Sequence, residues 1–321
     1  MAGEEDEGDW AMADTAIRGI SGTVVDRRMT MRKFARKRSM IAFVMALPLI
    51  VLIAALVVYP AFYSIHLATL NKSMARFVGY DNFLFLFKRN TFFMVVKQSC
   101  IFALSAVFFK ALIGFFVANF VHNLPVKGQR KWRGMLMVPW VIPTAMSTVA
   151  WFWLFDPDYS ALNYLLEHLG LDRVAWLSNP NWARFCVILV NVWYGAPFFM
   201  IMYLAALKSV PEQLYEAAAI DGASWWQRLW YVTLPMMRNI ISITVLFSLI
   251  VTFANFDIVR ILTNGGPVDQ THVFATWAFN LGIQGNDIPL GASVSLFMFP
   301  ILGIAAIFIL RGVRKRGREI G

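Results

Sequence analysis

The stretch YEAAAIDGASWWQRLWYVTLP, from Tyr215 to Pro235, separates two long apolar runs. It carries charged side chains at Glu216, Asp221 and Arg228, which are costly in hydrocarbon, so we place it outside the membrane. Its pattern is nevertheless ordered, since an Ala-rich helical start is followed by an Asp-Gly break and an aromatic-rich helical restart. The stretch therefore predicts a structured helix-turn-helix between two membrane spans.

The composition of the chain is that of a membrane protein. Of its 321 residues, 59% are hydrophobic and 15% are charged, whereas a soluble domain carries roughly 25% charge. A span needs about 20 mostly apolar residues, and runs of this length favour helices because the backbone must satisfy its own hydrogen bonds in lipid. We therefore predict an all-α polytopic membrane protein. Its six transmembrane helices are expected at Met40–Leu67, Cys100–Val121, Met135–Phe155, Phe185–Leu207, Ile240–Leu262 and Leu290–Leu310.

The distribution of Lys and Arg predicts that both termini lie inside the cell. Residues 1–39, 122–134, 208–239 and 311–321 carry 20 of the 29 basic residues, and the loops between the other span ends carry seven. The outer loop 68–99 holds five of those seven and goes against the rule that basic residues are enriched in cytoplasmic loops, so the remaining loops decide the orientation. The net charge of +10 thus reflects topology, and no basic face indicates nucleic acid as a partner. The expected organisation is an N-terminal tail at 1–39, a first helix at 40–67, an outer loop at 68–99, a five-helix core at 100–310 and a C-terminal tail at 311–321.

The sequence contains no motif of catalysis or of nucleotide binding. There is no G-x-x-x-x-G-K-[ST], no G-x-S-x-G and no H-E-x-x-H, and the four histidines lie in four different segments. We therefore predict no catalytic residue, no metal site and no cofactor in this chain. Intramembrane charge is limited to Lys110, Asp257 and Arg260. Asp257 and Arg260 have the spacing of an ion pair, while Lys110 and Arg260 fit either snorkelling or attraction of an anionic cargo.

Capping residues predict where the first helix of the quoted stretch begins and ends. Ser209 and Pro211 suit the start of a helix over Glu212–Ile220, as its cap and as a residue of its first turn. Asp221-Gly222 is expected to end that helix, because Gly accepts the positive φ of a helix C-terminus.

The second helix has its own start and stop signals. Ser224 and Gln227 have the spacing of a capping box, and Leu234-Pro235 is expected to end the helix and turn the chain back to the membrane. Two interpretations fit such a helix pair. It lies on the bilayer surface, or it docks a soluble partner, to which the alanines allow close approach and Glu216 offers a charge.

The quoted stretch resembles the EAA loop of ABC importer permeases, and residues 208–239 are called the EAA loop from here on. The matching residues are Glu216, Ala217, Ala218, Gly222, Val232, Leu234 and Pro235, with Val232 where the family usually has Ile. The chain is similar in particular to binding-protein-dependent sugar permeases of the maltose type. Further matches are VPWVIPTAMSTVAWFWLFDPDYSALNYLL from Val138, LTNGGP from Leu262 and YPAFYSIHLA from Tyr59, so that the resemblance covers about Phe43 to Arg311.

The resemblance implies a type I ABC importer permease fold in the bacterial inner membrane, with the outer loops in the periplasm. It implies a subunit that forms, with a second homologous permease, the pathway for a saccharide delivered by a periplasmic binding protein. Two ATPase subunits would bind ATP and Mg, so this chain is not expected to be an enzyme. The residues that the resemblance assigns to ATPase coupling are Glu216, Ala217, Ala218, Asp221, Gly222, Leu234 and Pro235. The alternative is a single-chain secondary carrier or channel, which the lack of an inverted repeat and of an ion relay disfavours.

A cargo path is expected along one face of the predicted span Ile240–Leu262. Ser248, Thr252 and Asn255 are spaced by four and three residues and share that face, although interhelical packing by small polar residues fits the same spacing. The resemblance to maltose-type permeases implies a sugar near the bilayer midplane. The positions it assigns to sugar contact are Tyr194, Gly195, Phe198, Ser248, Val251, Thr252 and Asn255, of which Tyr194, Phe198, Val251 and Thr252 differ from the maltose pattern.

Overall fold

The computed structural model describes residues 40–317, with side chains as far as Arg311. The predicted N-terminal tail and the last residues of the predicted C-terminal tail lie outside the described residues. Within them the chain is helical, with one isolated bridge between Leu70 and Phe77. The helices are α1 Met40–Ala68, α2 Asp81–Phe87, α3 Asn90–His122, α4 Val126–Leu136, α5 Val138–Val141, α6 Thr144–Leu154, α7 Ala161–His168, α8 Pro180–Lys208, α9 Glu212–Ile220, α10 Trp225–Phe253, α11 Asp257–Leu262, α12 Phe274–Phe279, α13 Ile288–Leu296 and α14 Met298–Gly317.

Five helical stretches are long and apolar enough to cross a membrane. Four are α1, α3, α8 and α10, and the fifth is Ile288–Arg311, which comprises α13 and most of α14. They have 24 to 33 residues, so at about 1.5 Å per residue each covers the roughly 30 Å of hydrocarbon. The all-helical membrane fold predicted from the apolar runs is therefore confirmed.

The predicted span Met135–Phe155 is not a continuous helix. The chain forms the end of α4, the single turn α5 and then α6, with Ile142 extended at ψ 135° between them. Pro143 follows Ile142, and the residue before a proline is pushed out of the α region by the pyrrolidine ring. The count of six transmembrane helices thus remains a prediction.

The predicted span Ile240–Leu262 lies differently in the chain. Its helix is α10, which starts at Trp225 and ends at Phe253, after which three residues lead into the separate helix α11. Asp257 occupies the first turn of α11, where a carboxylate interacts favourably with the helix dipole.

Residues 40–63 belong to a compact unit of their own, whose apolar side chains, such as Met45 and Leu56, are exposed. The second unit begins at Ser64, and its core is built around the pair α3 and α8, against both of which α10 also packs. At the crossing of α3 and α8, a Cβ on Gly114 would collide with Cβ of Phe199. The absence of a side chain at Gly114 therefore lets the two helices approach closely.

Candidate functional site

The first helix of the EAA loop, α9, ends in a Schellman motif. Gly222 has φ +74°, its N–H donates to Ala219 O at 3.1 Å, and Ala223 N–H donates to Ala218 O at 2.9 Å. A Cβ on Gly222 would meet nothing within 4 Å, so the glycine is required for its backbone conformation and not for space. The predicted break at Asp221-Gly222 is confirmed.

The start of α9 differs from the prediction. Pro211 is the cap residue of α9, in extended conformation with φ −61° and ψ 132°, and it does not lie in the first turn. Ser209 does not cap α9, because it closes the preceding helix α8, and its Oγ donates to Ala206 O at 2.7 Å. A serine near a helix junction can satisfy either helix, and here the orphan carbonyl of α8 lies within its reach.

The second helix begins as predicted but does not end at Leu234-Pro235. Ser224 and Gln227 form the capping box, in which Ser224 N–H donates to Gln227 Oε1 at 2.7 Å. The helix then passes through a π-turn, Leu229–Thr233, closed by the N–H of Leu234 on Leu229 O, and continues through Pro235. In a regular α-helix the proline ring would meet the carbonyl four residues earlier, and the wider π-turn before it relieves that clash.

The EAA loop presents most of the predicted coupling residues to its surroundings. Five of them are exposed and two, Ala218 and Leu234, are half-buried. In the same loop, Ile220 is 87% exposed and Tyr231 is 81% exposed. The exposed predicted coupling residues are Glu216, Ala217, Asp221, Gly222 and Pro235.

The inner side of the EAA loop packs against the rest of the protein. Tyr215 belongs to the margin of the core, and its hydroxyl lies 3.0 Å from Oγ1 of Thr233. At the end of α8, Lys208 Nζ donates to Gln129 Oε1 at 2.8 Å, and Gln129 in turn donates to His122 O. The loop is thereby tied to α4 and to the end of α3.

A cavity of about 220 Å³ lies between the EAA loop and the end of α3. Two nitrogen atoms, His122 Nδ1 and Arg228 Nε, are buried without a hydrogen-bond partner in the described part of the chain. The cavity is lined by Asn119, His122, Asn123, Leu207, Tyr215, Trp225, Arg228, Leu229 and Thr233.

The predicted cargo positions of α8 and α10 meet at a lysine of α3. Lys110 Nζ donates to Thr252 Oγ1 at 2.7 Å, and a Cβ on Gly195 would lie 2.5 Å from Lys110 Cδ. Gly195 is one of the positions assigned to sugar contact, but in this structure the space beside it holds the Lys110 side chain. The structure therefore brings Gly195 and Thr252 together through a residue whose role the sequence left open.

The other predicted cargo residues lie in different environments. Ser248 is buried, Tyr194 is half-buried and Val251 is exposed. The ring of Phe198 lies between those of Trp140 and Phe247, with centroid distances of 5.9 and 5.3 Å. Three aromatic rings from α5, α8 and α10 thus form one cluster on this side of the bundle.

Two amide oxygens near the predicted cargo positions have no hydrogen-bond partner among residues 40–317. Asn255 Oδ1 is buried and unpaired, two residues after the end of α10, and Asn191 Oδ1 is buried and unpaired on α8. Asn191 is 4% exposed and lies one helical turn before Gly195. Sequence reasoning missed Asn191, although a polar residue in the apolar run four positions before a predicted contact was a usable signal.

The expected ion pair between Asp257 and Arg260 does not form. The guanidinium of Arg260 donates to Asn264 and to Gln284 Oε1, and it lies 5.0 Å from the centroid of the Phe279 ring. Asp257 takes part in no ion pair with any described residue. The same residues contain no cluster of three or more His, Cys, Asp or Glu side chains that could hold a metal ion.

A buried histidine organises the segment between α11 and α12. His272 is 2% exposed, its Nδ1 lies 3.1 Å from Thr276 Oγ1, and its Nε2 lies 3.5 Å from Asp269 Oδ1. Burial lowers the pKa of His272, the Asp269 carboxylate acts against that shift, and the charge of Arg260 adds to it.

Comparison with known proteins identifies the family. The family model of the binding-protein-dependent transport system inner membrane component matches residues 29–316. The chain belongs to this family. It is a permease subunit of an ABC importer, in which ATP hydrolysis is carried out by separate subunits, and the alternative of a single-chain carrier or channel is disfavoured.

Relatives of this permease include sugar transporters from several organisms. It is 29% identical over 296 residues to the trehalose/maltose transport system permease protein MalF of Thermococcus litoralis, covering 91% of this chain and 99% of the relative. It is 27% identical over 282 residues to the sulfoquinovosyl glycerol transport system permease protein SmoG of Agrobacterium fabrum, covering 86% and 91%.

Solved structures of ABC importers share the fold. A bacterial alginate ABC transporter, in complex with an alginate pentasaccharide-bound periplasmic protein, matches with a TM-score of 0.77 at 24% identity. A second structure, of a transporter for import of the acidic polysaccharide alginate, matches with a TM-score of 0.72 at 25% identity. In both cases the match covers 87% of this permease and 96% of the compared chain, so the predicted type I importer fold is confirmed.

Proposed function

We propose that this permease pairs with a second homologous permease to form the translocation pathway for a saccharide. A periplasmic binding protein delivers the saccharide, and two ATPase subunits bind ATP and Mg and drive the cycle. The relatives described above support a saccharide, since their names specify trehalose/maltose, sulfoquinovosyl glycerol and alginate. These cargoes include both neutral and acidic sugars, so the names leave the charge of the cargo open.

The observation that carries the proposal is the unbroken course of α10. This helix begins in the exposed EAA loop at Trp225 and reaches the proposed cargo residue Thr252 near its other end. A rigid helix that contacts the ATPase at one end and the cargo at the other provides the physical connection that coupling requires. The tight caps of α9 and α10 favour a docking element over a slack connector.

The EAA loop is the proposed docking site of an ATPase subunit. Its exposed apolar and aromatic side chains, among them Ile220 and Tyr231, are of the kind that anchors protein interfaces. Glu216 offers a negative charge to a basic side chain of the ATPase, and Gly222 keeps the turn between the helices tight. Ala217, Ala218, Asp221, Leu234 and Pro235 complete the proposed coupling set.

The proposed cargo path lies between α8 and α10. Tyr194 and Phe198 offer aromatic faces for sugar rings, and Ser248, Thr252 and Asn255 offer hydrogen-bonding groups. Gly195 and Val251 would shape the path. The unpaired Asn255 Oδ1 supports a role as acceptor for a sugar hydroxyl, because a buried polar group without a partner costs free energy.

The proposed location is the bacterial inner membrane, with both termini in the cytoplasm. Reporter fusions after Gly321 and within residues 208–239 should then report the cytoplasm. Fusions near Asp158 and Asp269 should report the periplasm. A cytoplasmic signal at Asp158 together with a periplasmic one at Gly321 would contradict this orientation.

Reconstitution tests the proposed function. The permease is co-expressed with a second permease that carries its own EAA loop and with the neighbouring ATPase and binding protein, and the complex is placed in proteoliposomes. We expect uptake of at least one labelled saccharide that requires ATP and the binding protein. Uptake by the permease alone, without ATP, would instead support a carrier or channel.

A further inference from the structure

Lys110 lies deep in the membrane-spanning part of the bundle. Helix α3 has 33 residues, and Lys110 is four residues from its middle, or about 6 Å along the axis. The residue is 4% exposed, and its ammonium is directed inward to Thr252. A snorkelling lysine lies near a helix end and holds its charge in the interface, so snorkelling does not describe Lys110.

No acidic residue on the surrounding helices balances this charge. Helices α3, α8 and α10 meet at Lys110, and none of the three contains an Asp or a Glu. The next acidic residue after α10 is Asp257, which is exposed and forms no ion pair with any described residue. A buried charge without a counter-ion is strongly unfavourable, and ionisable residues inside membrane bundles mark substrate paths.

The known partners of Lys110 leave part of its hydrogen-bonding capacity open. An ammonium has three N–H donors, and the structure fills one of them, with Thr252. Gly195 presents no side chain to the ammonium, since a Cβ there would lie 3.4 Å from Nζ. Asn191 Oδ1, one helical turn before Gly195, and Asn255 Oδ1, three residues after Thr252, lack hydrogen-bond partners among the described residues.

We infer that the saccharide carried by this permease bears an anionic group, a carboxylate, sulfonate or phosphate, and that Lys110 binds this group in the translocation pathway. The cargo supplies the counter-ion that the three helices lack. Asn191 and Asn255 accept hydrogen bonds from its hydroxyls. This inference rests on the proposed function, since it requires that the face between α8 and α10 is a saccharide path.

The first test compares cargoes in the complete reconstituted transporter. The probes are labelled digalacturonate, sulfoquinovose and glucose 6-phosphate, each beside a neutral counterpart, galactobiose for the first and glucose for the other two. We expect ATP-dependent uptake of at least one anionic probe, at least about tenfold faster than its neutral counterpart. Uptake confined to neutral sugars would overturn the inference and leave the proposed function standing. Failure to take up any saccharide would overturn both.

The second test replaces the lysine. Lys110→Met should raise the KM for the anionic probe by about tenfold or more, and Lys110→Arg should stay within about threefold of wild type. The matched control is Lys97→Met, an exposed lysine in the same helix, which should leave the KM unchanged. An unchanged KM in Lys110→Met would overturn the inference.

Assembly of each variant is checked by size-exclusion chromatography of the purified complex. If Lys110→Met does not assemble, Lys110→Gln takes its place, since glutamine keeps a hydrogen-bond donor for Thr252 and removes the charge. The cargo preference of the wild-type transporter tests the anionic cargo in any case, and the variant that assembles tests the role of Lys110.

Discussion

The hydroxyl of Tyr215 lies 3.0 Å from Oγ1 of Thr233, and this contact joins the first helix of the EAA loop to the π-turn of the second. Thr233 Oγ1 also lies 3.3 Å from Arg228 O, one turn earlier in α10. The two helices of the loop are thus fixed to one another by side chains that face away from the proposed ATPase surface.

Loss of this contact should weaken coupling without unfolding the permease. In Tyr215→Phe one neutral hydrogen bond is lost, which is worth about 1 kcal/mol, so we expect uptake per ATP hydrolysed to fall by no more than about fivefold. The measurement is uptake and phosphate release in the same proteoliposomes. Tyr159→Phe is the control, because Tyr159 is 86% exposed and lies outside the EAA loop. Equal effects of the two substitutions would contradict a role for the Tyr215–Thr233 contact.

The exposed face of the EAA loop should be sensitive to charge and to backbone conformation. We expect Glu216→Lys and Gly222→Asp to abolish transport or release the ATPase while membrane insertion is preserved. The reasons are a reversed charge towards the partner and the loss of a glycine at φ +74°. The measurements are uptake and co-purification of the ATPase.

The chain offers a matched control for Gly222→Asp. Gly170 has φ +73°, and a Cβ on it would also meet nothing within 4 Å, so Gly170→Asp carries the same backbone strain at a site outside the EAA loop. We expect Gly170→Asp to transport at near wild-type rates. Wild-type uptake in both EAA-loop variants would contradict the proposal that the loop docks the ATPase.

The polar side chains of Ser248 on α10 and of Asn255 just beyond its end should contribute to cargo binding. We expect the double variant Ser248→Ala, Asn255→Ala to reduce uptake while substrate-stimulated ATP hydrolysis changes much less, because both side chains lie on the proposed path and far from the EAA loop. Kinetics of uptake are compared with those of Ser242→Ala, a half-buried serine of the same helix. Unchanged kinetics in the double variant would return both residues to a packing role.

The stability of the segment around His272 should fall in acid. Since burial lowers the pKa of His272 below its usual value of about 6.5, the folded state binds fewer protons than the unfolded state as the pH falls through that value. The free energy of unfolding should therefore decrease below about pH 6.5. The Asp269 carboxylate reduces the effect, because it favours the protonated ring.

Limited proteolysis between residues 263 and 289 at pH 7.5 and pH 5.5 measures this dependence. We expect faster cleavage at the lower pH in the wild type and a smaller difference in His272→Gln, which retains a hydrogen-bonding group for Thr276. An equal pH dependence in both proteins would show that another group titrates.

Local sequence signals predicted the two helices and the turn of the EAA loop. They did not predict which prolines end a helix. Pro143 interrupts the predicted span Met135–Phe155, because a proline disfavours the α conformation at the residue before it, here Ile142. Pro235 does not end its helix. The π-turn Leu229–Thr233 relieves the clash between the proline ring and the carbonyl four residues earlier. A wide turn is set by packing around the helix, so the sequence of the proline's neighbours does not reveal it.

The cargo face was predicted only in part. The spacing of Ser248 and Thr252 places them on one side of α10, which any helical residue count reveals, but Asn255 lies beyond the end of that helix at Phe253. The contact between Lys110 and Thr252 joins residues 142 positions apart in the sequence, and hydropathy does not say which helix faces meet. The sequence therefore identified an unusual charge in Lys110 but not the site to which it belongs.

Because α10 is continuous, a tilt at one of its ends moves the other end. Between Trp225 and Thr252 the helix rises about 40 Å, so a pivot of about 5° at one end displaces the other by about 3.5 Å. Starting from 2.7 Å between Lys110 Nζ and Thr252 Oγ1, a displacement of that size away from Lys110 would carry the pair beyond the roughly 3.2 Å reach of a hydrogen bond. A slight tilt imposed at Trp225 would thus be enough to part the two side chains, with no change in the local conformation of either residue.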